Sequence, residues 1–185
     1  IQLIIIGESS VGKTSILYKY TQGFFSTQHL ATVGLEYFTK EEVIEDKVIR
    51  VKFWDTAGQE QYKSLTRNFY RNSDGVIIVY DVTNKNSFYK VQEWVESVYD
   101  NTDKSVSMIL IGNKTDLPRE VSKQEGERMA ESFKIKYFET SAKENSGINE
   151  SMMEIVSLVI NNKKMIEKDT VEIQEVNNSS SGCKC

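Results

Sequence analysis

Three stretches of the chain, "LIII" (3–6), "GVIIVYD" (75–81) and "SMILIGN" (107–113), are almost wholly apolar and rich in β-branched residues. Runs this short and without alternation fit strands covered on both faces, as in a parallel sheet packed between helices. Between them apolar residues recur at helical spacing. Phe88, Val91, Val95, Val98 and Tyr99 share one face, and Ile148, Met152, Ile155, Val156, Val159 and Ile160 share another. Ser122 and Glu125 stand at capping-box spacing and open a helix that carries Met129 and Ala130. Strands alternating with helices predict a doubly wound α/β domain.

Residues 36–55, "EYFTKEEVIEDKVIRVKFWD", follow another rule. A polar break at Glu45–Lys47 splits them into the arms of a hairpin. In the second arm Ile49, Val51 and Phe53 point one way, while Val48, Arg50, Lys52 and Trp54 point the other. A period of two gives one buried and one wet face. Trp54 falls on the wet side, as do Tyr37, Thr39 and Glu41 of the first arm. Two readings of Trp54 stay open: a tryptophan packed at a strand end, or an exposed aromatic that anchors a partner protein.

Composition changes this picture little. The 185 residues, 39% hydrophobic and 27% charged, suit one soluble domain with a sizeable core. With 23 basic and 27 acidic residues the net charge is −4, which gives no reason to expect nucleic-acid binding. No run approaches the roughly 18 apolar residues a membrane span needs. Both cysteines, Cys183 and Cys185, lie in the last three residues, so the body reads as a protein of a reducing compartment. The chain opens on Ile1, inside the first strand, which leaves open what precedes it. After about Lys164 the periodicity fades into "MIEKDTVEIQEVNNSSSGCKC". The expected division is therefore a domain over 1–164 and a flexible tail over 165–185.

The candidate chemistry begins at "GESSVGKTS" (7–15), a phosphate loop set between a strand and a helix. From Gly7 through Ser9, Ser10, Val11 and Gly12 to Ser15, its backbone N–H groups would line one concavity at the positive end of the helix. Lys13 would reach the terminal phosphates and the Thr14 hydroxyl would bind Mg²⁺. The loop alone does not choose between ATP and GTP. "NKTD" (113–116) does, closing a buried strand at the edge of the sheet where ligands bind. Asp116 can accept both the ring N–H and the exocyclic amine of guanine, whereas adenine would turn a lone pair toward that carboxylate. In "WDTAGQE" (54–60), Asp55 is set to hold a Mg²⁺-bound water, the Gly58 amide to touch a γ-phosphate, and Gln59 to orient an attacking water.

These motifs, in this order, resemble those of Ras-like small GTPases over residues 1 to about 164, and within them the Rab group. "VGLEY" (33–37), "RVKFW" (50–54), "QYKSLT" (61–66), "FYRNS" (69–73) and "IVYDVT" (78–83) look like diverged Rab signature segments, and "ETSAK" (139–143) like the last guanine loop. The resemblance implies a phosphate-loop small G domain. Its sheet would be six-stranded and mostly parallel, with helices on both faces and one antiparallel edge strand. It also implies GTP/GDP and Mg²⁺ as ligands. Thr32 would coordinate Mg²⁺ and the γ-phosphate only in the GTP state, with Lys13, Gly58 and Gln59 serving hydrolysis. Phe25 would lie against the guanine edge. Asn113 would join Asp116 in reading the base, Lys114 would pack over it, and Ser141, Ala142 and Lys143 would complete the pocket, Ala142 through its backbone amide. Tyr37, Trp54 and Phe69 would form the aromatic triad that effectors read. That triad usually starts with Phe and often ends with Tyr, so this chain departs from it at both ends.

By the same resemblance the closing Cys183-Lys184-Cys185 is a doubly geranylgeranylated ending, placing a monomeric switch on the cytoplasmic face of an intracellular membrane and cycling it with the cytosol. Expected partners are an exchange factor, a GTPase-activating protein, an escort protein, a GDP-dissociation inhibitor and effectors. No arginine is placed to act as a finger in cis, so turnover is expected to be slow. A phosphate-loop kinase or ATPase would share the first motif but has no use for the other three. A scaffold that holds GTP without hydrolysis conflicts with Thr14, Thr32 and Gln59. The Cys-x-Cys ending favours Rab over Ras, Rho or Arf relatives. His29 reads as a solvated loop residue.

Overall fold

The computed structural model describes residues 1–26, 35–56, 70–102 and 106–180, with the backbone alone at residues 35 and 167–180. Its strands are β1 (Gln2–Ile6), β2 (Leu35–Ile44), β3 (Lys47–Thr56), β4 (Gly75–Asp81), β5 (Ser107–Asn113) and β6 (Lys136–Thr140). Its helices are α1 (Lys13–Gln22), α2 (Lys85–Tyr89), α3 (Val91–Tyr99), α4 (Lys123–Ser132) and α5 (Ile148–Ser180). The strands form one sheet in the order β2-β3-β1-β4-β5-β6, parallel throughout except for the β2–β3 hairpin at the edge. This is the expected α/β architecture.

Alternate residues of the buried strands feed two cores. Leu3, Ile5, Val51, Phe53, Ile77, Val79, Ile109 and Ile111 pack under α1 and α5. Ile4, Ile6, Val76, Ile78, Tyr80, Met108 and Leu110 pack under α2, α3 and α4. A strand with helices on both sides can be apolar at every position, and β4 is buried along its whole length.

Local signals act as the sequence suggests. Ser122 and Glu125 exchange capping hydrogen bonds at the start of α4. Glu45 and Asp46, with φ of 50° and 60°, supply the two left-handed residues of a tight hairpin turn. On the hairpin Val51 and Phe53 are buried while Val48 and Arg50 are exposed, so the period of two holds. The face shared by Phe88, Val91, Val95 and Val98 is buried too, although it belongs to two helices abutting through Lys90.

The C-terminal helix differs from expectation. Burial ends near Val159, and residues 163–166 are exposed, with Lys164 reaching Glu45 in the hairpin turn. Packing on the domain thus stops close to Lys164. The backbone nevertheless stays helical to Ser180, where a flexible tail was expected from residue 165. No Gly or Pro interrupts the chain between Gly147 and Gly182, so no backbone breaker stops the helix where burial ends.

Candidate functional site

The site forms where the strand order reverses about β1, at the carboxyl ends of the parallel strands. Sheet register sets three polar residues side by side there: Asp81 is opposite Asn113, and Asn113 is opposite Thr140. Ile5 pairs with Asp55 on the other side of β1.

Between β1 and α1 the phosphate loop turns sharply. Gly7, Ser10 and Gly12 have φ of 136°, 63° and 98°, and a Cβ on Gly7 would collide with the carbonyl oxygen of Val79. α1 carries no side-chain cap and no acidic residue in its first turn, whereas α2 is capped by Asn84 and α4 by Ser122. A helix end of that kind suits an anion, which would accept from the first-turn N–H groups and meet the positive end of the dipole.

Lys13 is buried, and its Nζ donates to the carbonyl oxygens of Gly7 (2.8 Å) and Glu8 (2.7 Å). Burial pushes the ammonium down to about 8, opposed by the charges of Asp55 and Glu8. Trp94 of α3 donates from Nε1 to Glu8 Oε1 at 3.0 Å, tying the loop to the second core. Thr14 Oγ1 donates to Asp55 Oδ2 at 2.6 Å. A hydroxyl and a carboxylate set together at a phosphate loop are hard oxygen donors that suit Mg²⁺, an ion that takes few protein ligands and fills its shell with water and phosphate. Among the described residues no cluster of three or more His, Cys, Asp or Glu competes for such a role.

The two base loops are stitched to each other and to the phosphate loop. Asn113 Nδ2 donates to Val11 O (2.9 Å), and Thr140 Oγ1 donates to Asn113 Oδ1 (3.0 Å). Thr115 donates from both N and Oγ1 to Thr140 O. Ser141 Oγ donates to Asp116 Oδ1 at 2.7 Å, with Lys143 Nζ 3.9 Å from the other carboxylate oxygen. Ala142 is buried beside them. Lys114, at φ 69°, pairs through Nζ with Asp81 Oδ2 at 2.6 Å, so its head is anchored and its aliphatic stem is the part free to cover a ring. Phe25 is half-buried against the first core.

Tyr37 and Trp54 stand opposite each other on the wet face of the hairpin, rings edge to face at 5.6 Å between centroids. Lys52 Nζ lies 4.1 Å from the Tyr37 centroid and 3.9 Å from that of Trp54. Tyr37 is 56% exposed. Trp54 is half-buried against the second core and donates from Nε1 to Gln2 Oε1 at 3.2 Å, so the packed reading holds for part of its ring and the rest stays at the surface. Thr32, Gly58, Gln59, Phe69, Cys183 and Cys185, like His29, lie outside the described residues. Sequence reasoning missed Asp81, Thr140 and Glu8 as parts of the site. Glu8 and Thr140 stand inside the phosphate-loop and ETSAK motifs, and Asp81 had a signal of its own, a carboxylate closing a buried strand at the ligand edge.

The fold and this loop define a phosphate-loop nucleotide-binding protein of the α/β class. A family model described as the Ras family matches residues 2–161. The Ras-related protein RabC of Dictyostelium discoideum is 43% identical over 155 residues, 80% of this chain and 78% of that protein. Ras-related protein Rab-13 of Rattus norvegicus is 38% identical over 152 residues, 81% of this chain and 75% of its own. Ras-related protein Rab-8B of Homo sapiens is 33% identical over 173 residues, covering 91% and 84%. The chain belongs to the Ras family of small GTPases, in its Rab group, and is a GTP-hydrolysing enzyme.

Proposed function

We propose that this GTPase is a membrane-tethered switch that governs vesicle-mediated intracellular transport through effectors that bind its GTP state. The observation that carries the nucleotide half of this reading is the joining of phosphate loop and base loop through Asn113 and Val11. One rigid unit thereby faces both ends of a nucleotide. Lys13 would neutralise charge on the terminal phosphates, and Thr14 and Asp55 would hold Mg²⁺, with Thr32 joining them in the GTP state. When bound, Mg²⁺ supplies electrostatic stabilisation to the departing phosphate oxygens. Asp116 and Asn113 would read guanine, with Lys114, Ser141, Ala142, Lys143 and Phe25 around it. Gln59 would orient the attacking water and the Gly58 amide would sense the γ-phosphate.

Without an arginine finger in cis, intrinsic turnover of roughly 10⁻⁴ to 10⁻³ s⁻¹ is expected, and an activating partner adds about 10⁵-fold. Slow hydrolysis lets each state persist long enough to be read. The exposed Tyr37 with Trp54 supports an effector surface that Phe69 would complete. An exchange factor, an escort protein and a GDP-dissociation inhibitor would complete the cycle between cytosol and the cytoplasmic face of an intracellular membrane. Two geranylgeranyl groups on Cys183 and Cys185 would anchor the chain stably where one binds only marginally. Residues 165–185 would serve as the tether.

The test is fractionation of cells expressing the wild type and a variant with both Cys183→Ser and Cys185→Ser. The variant should move wholly to the cytosol while its purified form still hydrolyses GTP. Retention on membranes would refute the tether and leave the GTPase assignment standing.

A further inference from the structure

Behind the base loops runs a polar chain that none of the roles above uses. Tyr80 in β4 and Tyr137 in β6 lie almost parallel, 16° between ring planes, with hydroxyls 2.8 Å apart. The Tyr137 hydroxyl donates to Glu139 Oε1 at 3.1 Å, and Arg119 donates to both carboxylate oxygens at 2.8 and 3.3 Å. A phenol has one proton to give. Tyr137 gives its own to the carboxylate, the stronger acceptor, and therefore accepts from Tyr80. Burial raises the Tyr80 hydroxyl to about 12 and pushes that of Tyr137 up as well, so both remain donors at neutral pH.

Two glycines make room for this pair. A Cβ on Gly112 would stand 2.7 Å from the Tyr137 oxygen and 2.8 Å from that of Tyr80, and one on Gly126 would collide with Tyr137. The chain also ends beside the base contacts. Gly112 precedes Asn113, Arg119 follows Asp116 by three positions, and Glu139 precedes Thr140 and Ser141. Thr115–Thr140 and Ser141–Asp116 fasten the near ends of the two loops, and Arg119–Glu139 fastens the far end.

We propose that Arg119, Glu139, Tyr137 and Tyr80 are positioning residues for guanine recognition, fixing residues 113–116 against residues 141–143. They set how fast nucleotide leaves and how well guanine is told from its analogues. The inference rests on the guanine-nucleotide reading of the site. Its physical basis is the steep angular dependence of hydrogen bonds: a small slip between the loops weakens both bonds from Asp116 to the base at once.

The test measures release of GDP and of inosine diphosphate, which lacks the exocyclic amine, from the purified full chain by displacement with fluorescent nucleotide. Wild type, Arg119→Ala, Arg119→Lys and Tyr137→Phe are compared, with thermal melting and single-turnover GTP hydrolysis alongside. Arg119→Ala and Tyr137→Phe should release GDP roughly 3- to 10-fold faster, as expected for loss of one partly exposed charge-assisted contact. Their GDP-to-inosine preference should narrow, and hydrolysis of bound GTP should not change. Arg119→Lys, which cannot grip both oxygens, should recover part of the loss. Unchanged release, or faster release with an unchanged base preference, would overturn the proposal whatever happens to the melting temperature. A wild type that does not prefer GDP would instead overturn the guanine reading beneath it.

Discussion

Replacing Gly12 by alanine probes the joint between the phosphate loop and the base loop. Gly12 has φ of 98°, and an added Cβ would come well under 3.0 Å from Asn113 Nδ2. The backbone term is strain at a left-handed position, about 1–3 kcal/mol for a residue with a side chain. The steric term falls on a side chain that cannot step aside cheaply. Asn113 is 1% exposed, donates to Val11 O at 2.9 Å and accepts from Thr140 Oγ1 at 3.0 Å. Displacing it leaves buried polar groups unmatched, at about 1–3 kcal/mol each. After partial relaxation the sum is about 3–6 kcal/mol, a large part of the stability of an ordinary domain. For a chain of this size that lowers the melting temperature of nucleotide-free protein by roughly 6–24 °C.

Gly23→Ala is the control. Gly23 is also left-handed, at φ 69°, but a Cβ there would meet nothing within 4 Å. Only the backbone term applies, about 1–2 kcal/mol. Calorimetry on EDTA-stripped protein, paired with GDP titration, reads both quantities. A Gly12→Ala melt no lower than that of Gly23→Ala, with GDP affinity unchanged, would refute the claim that the two loops are locked through Asn113.

Two further outcomes follow from single groups. Lys13 titrates near 8 in the nucleotide-free site, and a bound phosphate favours its charged form, so GDP binding should take up a proton above that pH. Affinity should then fall by up to about tenfold per pH unit above 8 and show no slope from this group below it. Calorimetric titration between pH 7 and 9 in buffers of differing ionisation heat measures the uptake; none at pH 9 counts against the burial argument. The same shift means that between about 8 and the ordinary lysine value of 10.5 the folded, nucleotide-free chain binds fewer protons than the unfolded one, so its stability rises with pH across that window. Ser122→Ala removes one half of the α4 capping box and should cost about 1 kcal/mol, a drop of roughly 2–4 °C, with no effect on nucleotide release. A larger loss would mean Ser122 does more than cap.

How legible each element was depends on how local its cause is. β4 and β5 could be read directly, because a strand covered on both faces leaves no polar position to disguise it. The capping box at Ser122 and Glu125 and the hairpin turn at Glu45 and Asp46 are short-range patterns, and they form as read. The phosphate loop and the NKTD segment were visible because the chemistry needs those residue types in a fixed local order. The stitching of the site was not. Asn113 meets Val11 across 102 residues, Trp94 meets Glu8 across 86, and Tyr80 meets Tyr137 across 57; nothing in a linear pattern reveals such pairings before the sheet brings the strands into register. The extent of α5 has a different cause. Fading amphipathicity marks the end of burial at about Lys164, whereas the first residue able to break the backbone is Gly182.

The most direct test of the whole account is hydrolysis of [γ-³²P]GTP and [γ-³²P]ATP by the purified chain, each with and without Mg²⁺. GTP alone should turn over, at roughly 10⁻⁴ to 10⁻³ s⁻¹ and only with Mg²⁺. Comparable turnover of ATP would contradict the role given to Asp116 and the base loops, and GTP turnover that ignores Mg²⁺ would contradict the one given to Thr14 and Asp55.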